Sequence, residues 1–104
     1  MPTLKLTAIT CLRRQDVFGK DEWEVWVDSK KVDNGTIDKG QTVSLSKTVP
    51  LTASTAKVSI KEVDGKNSKQ IGGSVEVDVD NPGRQPLDFK TSGTHYELFY
   101  TLTA

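Results

Sequence analysis

Two short stretches concentrate the residues that could do chemistry. Residues 16 to 22, Asp16-Val17-Phe18-Gly19-Lys20-Asp21-Glu22, place three acids around a glycine. Residues 62 to 70, from Glu62 and Asp64 through Gly65 and Asn67 to Lys69 and Gln70, form a second run rich in oxygen donors. Each lies between segments with the alternation of β-strands. The second run is longer than the two to five residues that join a plain hairpin. Such a run is either a solvated loop or half of a cation site. Carboxylates brought together from two connections, with backbone carbonyls, suit a hard ion such as Ca²⁺, which takes six to eight oxygens. The two can converge only if both connections lie at the same end of the fold.

Other chemistry finds little support. His95 is the single histidine, so no histidine pair is available for zinc, and its position next to Thr94 at a strand start reads as a surface histidine. Neither H-E-x-x-H nor G-x-S-x-G occurs, and no nucleophile, base and orienting group can be assembled. The chain is therefore expected not to be an enzyme. Cys11 is alone, which excludes an intramolecular disulfide and a cysteine-based zinc site. Lys plus Arg and Asp plus Glu both number 14, and this balance argues against a nucleic-acid binder, which would carry a basic excess. No stretch has 18 consecutive apolar residues, so no transmembrane segment is expected, and Met1-Pro2-Thr3-Leu4 does not open a signal peptide. The compartment is not readable from these features.

The elements that must position the acids all speak in period two. Leu4 and Leu6 share one parity, and Ile9 and Cys11 the other, so a bulge is expected near Thr7-Ala8. Trp23, Val25 and Val27 alternate with Glu24, Trp26 and Asp28. Asp28-Ser29 signals a tight hairpin, and Asn34-Gly35 a second turn. Val43 and Leu45 precede Pro50, which ends their strand. Val58 and Ile60, then Val75 and Val77, then Leu87 and Phe89, then Tyr96, Leu98, Tyr100 and Leu102 continue the pattern. No window shows a helical stripe. Seven or eight strands at this spacing predict one all-β domain over residues 1–104, an antiparallel two-sheet β-sandwich. Val25, Val27, Val58, Ile60, Val75, Val77, Leu98 and Tyr100 are the expected core.

Three stretches resemble a known family. "DVFGKDEWEVWV" is similar to the first calcium loop and following strand of C2 domains, including the compact bacterial C2-like modules. "VSIKEVDGKNSKQIGGSVEV" resembles the strand, third calcium loop and Ile-Gly strand start, and "YELFYTLT" the last strand. The resemblance covers most of the chain in order. It implies a C2-like sandwich with Ca²⁺ as cofactor and a lipid surface or protein as partner. A monomer is expected. By this likeness Asp16 matches the leading acid of the first loop, and Asp21 or Glu22 the second, with strand parity favouring Glu22. Glu62 and Asp64 match the paired acids of the third loop. Lys69 departs from the pattern, standing where calcium-binding versions carry a carboxylate. A lysine there removes a ligand and repels the ion.

Remaining residues keep two readings. Phe18, in the first acidic stretch, is either a plug folded back on the sandwich or an exposed anchor for a membrane or partner. Trp26 either packs under a neighbouring segment or serves as a ligand platform. Gly72-Gly73 offers close backbone approach or a bulge. Arg13-Arg14 and Lys30-Lys31 read as solubilising edge features. A non-enzymatic binding module with an acidic loop edge is the leading expectation. The alternative is a metal-free structural or interaction domain of a larger secreted or injected assembly.

Overall fold

The computed structural model describes residues 1–13, 21–81, 83 and 85–104. Among them are nine strands: β1 (Thr3–Arg13), β2 (Asp21–Val27), β3 (Lys30–Ile37), β4 (Thr42–Pro50), β5 (Thr55–Asp64), β6 (Asn67–Gln70), β7 (Val75–Asp78), β8 (Leu87–Thr91) and β9 (Thr94–Thr103). One sheet runs β4-β1-β9-β8. The other runs β3-β2-β5-β6, with β7 also on β5. Every pairing is antiparallel. The fold is an all-β, antiparallel two-sheet sandwich, and no helix among the described residues is long and apolar enough to cross a membrane.

Period-two alternation puts one apolar row of each sheet into the space between them. Leu4, Leu6, Ile9, Cys11, Tyr96, Leu98 and Tyr100 come from one sheet; Trp23, Val25, Val27, Val58, Ile60 and Val77 from the other, all buried. Val75 is half-buried and packs against this core. The parity switch in β1 has the expected cause: its pairings with both β4 and β9 slip between Leu6 and Ala8. One extra residue there re-aims the chain, so Ile9 and Cys11 can face inward as Leu4 and Leu6 do. Asp28 and Ser29 both take positive φ and close the β2–β3 hairpin.

Three expectations are corrected. Asn34-Gly35 is not a turn but lies inside β3, opposite Glu24 and Trp23. A Cβ on Gly35 would sit 2.8 Å from Cζ2 of Trp23, so this glycine gives room to the indole rather than reversing the chain. The polar run from Glu62 to Gln70 is not a long loop. Strand β5 continues to Asp64, a turn at Gly65 (φ 62°) and Lys66 follows, and Asn67–Gln70 returns as β6. Polar side chains do not break a ladder whose outer edge is solvated, and a glycine with left-handed φ closes it in two residues. This hairpin raises the count to nine strands, above the seven or eight expected.

After β6 the chain bulges. Ile71 donates its N–H to the Ile60 carbonyl at 2.8 Å and is buried, and pairing with β5 resumes only at Val75 opposite Val58. Gly72 has φ 70°, and a Cβ there would lie 2.8 Å from the Lys90 carbonyl oxygen of β8. Both readings of Gly72 thus hold: it forms a bulge and lets one sheet's backbone approach the other's.

Candidate functional site

The registers gather several strand ends at one end of the sandwich. Strand β1 finishes there at Arg13 opposite His95, and β2 starts there at Asp21 opposite Ile37. The β5–β6 turn and the start of β9 lie at the same end. Asp16 and Phe18 fall outside the described residues. The other sequence-derived candidates are placed by β2, β5 and β6.

Asp21 shares its parity with Trp23, Val25 and Val27, and its side chain enters the sandwich, 1% exposed. The parity argument for Glu22 is therefore reversed. Residues 21, 23, 25 and 27 face inward together, while Glu22 is exposed on the outer face, opposite Val63 and Thr36. A carboxylate so deeply placed needs strong hydrogen-bond donors. Tyr96 of β9 provides one from the facing sheet: its hydroxyl donates to Oδ2 of Asp21 at 2.8 Å. The phenol is itself fully buried. Burial first, then the hydrogen bond and charge of Asp21, with Cys11 and Glu62 adding in the same sense, push its pKa far above the ordinary tyrosine value. The phenol stays a neutral donor, which is the form the Asp21 carboxylate requires.

Glu62 lies directly opposite Trp23 on the neighbouring strand, and directly opposed residues face the same side of a sheet. It is half-buried and close enough to act on Tyr96. Asp64 is the last residue of β5, paired in register with Asn67. Lys69 stands directly across from Glu62 on β6 and is exposed. Two inward acids, Asp21 and Glu62, thus lie on adjacent strands at one end of one sheet, with a lysine at the rim. Such a set offers oxygen ligands to a hard cation, or a counter-charge from lysine in its place.

Two other surfaces complete the picture. On the outer face of β2 and β5, Lys61 Nζ lies 4.0 Å from the ring centroid of Trp26, whose Nε1 donates to Oε1 of Glu24 at 3.0 Å. Trp26 is half-buried under these side chains and also lines an open groove with Lys57, Ser59 and Gln70. On the other sheet, His95 has partners that its sequence neighbourhood does not reveal. Its Nε2 is 2.7 Å from Oδ1 of Asp88, and Glu97 completes a group whose ligand atoms all lie within 4.8 Å. Only the β8–β9 register makes that group, since Asp88 is directly opposite Glu97.

No protein-family model matches the sequence, and a search of curated proteins finds no match to it. A search of solved structures does. One of them, described as the structure of a C2 domain, covers 100% of both chains with a TM-score of 0.67 at 11% sequence identity. The chain has a C2-like fold.

Proposed function

We propose that the protein is a non-enzymatic binding module whose acidic end takes Ca²⁺ weakly and meets a lipid surface or a protein partner. The observation that carries this reading is the inward convergence of Asp21 and Glu62 on adjacent strands, at the end where β1 finishes and β2 begins. In this reading Asp64 at the β5–β6 turn and Asp16 from the preceding connection add carboxylates, and Glu22 on the outer face is left to solvent. Phe18 is the apolar contact with the partner. Weak affinity follows from Lys69, whose ammonium takes the place of a ligand and raises the local potential.

The same lysine supports a second reading, a metal-free interaction domain. Lys69 is in register with Glu62, so it can neutralise the acids without an ion. A Ca²⁺ melting scan separates the two. An ion bound only by the native state at 100 times its dissociation constant adds about 2.7 kcal/mol. For a domain of this size that is roughly 10–15 °C. The first reading expects the wild type to gain stability with Ca²⁺ and Asp64→Asn to lose that gain. The second expects no wild-type response, with Lys69→Asp destabilising the metal-free protein and creating a Ca²⁺ response. If neither the wild type nor either variant responds, the acids are only solvated and the likeness to C2 domains is one of fold alone. Phe18→Ala tests the contact: it should weaken binding to anionic vesicles while leaving stability within about 0.5 kcal/mol. A destabilised variant with unchanged vesicle binding would make Phe18 a plug.

A further inference from the structure

We propose that Asp88, His95 and Glu97 form a separate cation site on the outer face of the four-stranded sheet, selective for a first-row transition dication such as Zn²⁺. His95 and Glu97 are two apart on β9 and so project from one face, and Asp88 is directly opposite Glu97 on β8. Strand register, rather than a flexible loop, brings one imidazole and two carboxylates together. Their ligand atoms all lie within 4.8 Å, with His95 Nε2 and Asp88 Oδ1 at 2.7 Å. Zn–N and Zn–O bonds of about 2.0–2.2 Å put neighbouring ligands of a tetrahedral ion roughly 3.3 Å apart. Closing on an ion therefore requires a small opening of the His95–Asp88 pair and a modest swing of Glu97. The side chains are placed to allow both, since Asp88 is 52% exposed and Glu97 has a long arm on the solvent side.

The imidazole sets the class of ion. An oxygen-only set would suit Ca²⁺ or Mg²⁺, whereas a mixed nitrogen and oxygen set suits zinc and its neighbours. Three protein ligands leave the fourth position of a tetrahedral ion to water or to an incoming group. Lys90 and Arg13 flank His95 in register on β8 and β1, and the two carboxylates offset their charge. The proposal is independent of the acidic end, which uses the inner face of the other sheet.

Titration of the metal-free full chain with ZnCl₂ by calorimetry tests it, with Co²⁺ absorption as a second readout. We expect one equivalent of Zn²⁺ to bind. Each of His95→Ala, Asp88→Asn and Glu97→Gln should weaken it about tenfold or more, as loss of a ligand must at least match loss of a supporting contact. The Co²⁺ form should show a visible band that His95→Ala removes. Glu62→Gln should leave Zn²⁺ binding unchanged, and His95→Ala should leave any Ca²⁺ response unchanged. No saturable Zn²⁺ binding, or binding that survives His95→Ala, would overturn the site and make the Asp88–His95 contact a surface ion pair. Loss of Zn²⁺ binding in Glu62→Gln would move the ion to the acidic end and equally overturn it.

Discussion

Removing one oxygen atom tests the arrangement that points Asp21 inward. In Tyr96→Phe the ring keeps its place in the core, but Oδ2 of Asp21 loses its donor at 2.8 Å. Both partners are almost fully buried, so water cannot replace the hydroxyl without opening the sandwich. A hydrogen bond to a charged group contributes about 1.5–3 kcal/mol, and an acceptor left buried without its donor bears the cost of desolvation. An unfolding entropy of about 2.1 cal/mol/K per residue makes each kcal/mol worth roughly 5 °C for this chain. The melting point should therefore fall by about 7–15 °C. Urea denaturation gives the free energy independently, and a double-mutant cycle with Asp21→Asn isolates the pair. The coupling should exceed about 1 kcal/mol, because the residues share one buried contact. A Tyr96→Phe variant within about 0.5 kcal/mol of wild type would show that the inward acid does not depend on the phenol.

Alkaline pH should act on the same contact. Tyr96 keeps its proton in the folded protein well above the range in which an unfolded tyrosine loses it, so the native state binds more protons there. Its contribution is intact below about pH 10 and declines above that, at up to about 1.4 kcal/mol per pH unit. Urea midpoints measured across that range check the slope, and a flat profile would contradict it. Tyr100 is also raised by burial, so absorbance should show neither tyrosine ionising in the ordinary range before unfolding. Gly72→Ala should cost more than about 2 kcal/mol, since a Cβ at φ 70° is strained and would press on the Lys90 backbone; a neutral variant would show that the two sheets can separate there freely. Val77→Ala should cost about 1–3 kcal/mol through a cavity between the sheets, read from urea denaturation, and no loss would place Val77 outside the core.

The architecture was legible because the sandwich core writes itself as period two. Even the bulge at Thr7-Ala8 shows as a phase change between Leu6 and Ile9. Turn chemistry was less reliable, because glycine serves several purposes. Gly65 closes a hairpin, Gly35 clears space for Trp23, and Gly72 allows two backbones to meet. Composition alone does not distinguish these roles. The polar stretch around Glu62 hid a strand pair, since edge strands need no apolar alternation to form a ladder. Counting parity from Asp21 would have placed it with Trp23 and Val25, which the preference for Glu22 missed. Tyr96 shares its parity with Leu98 and Tyr100, but its bond to Asp21 spans the two sheets and depends on how they face each other. The grouping of Asp88 with His95 and Glu97 likewise depends on a register that no local pattern states.

The most direct test of the acidic end is a Ca²⁺ titration followed by amide resonances of isotopically labelled protein. Saturable shifts should centre on Asp21, Glu62 and Asp64, extend across the β5–β6 turn to Lys69, and vanish in Asp64→Asn. Shifts that never saturate, or that centre on Asp88, His95 and Glu97 instead, would contradict a Ca²⁺ site at the acidic end.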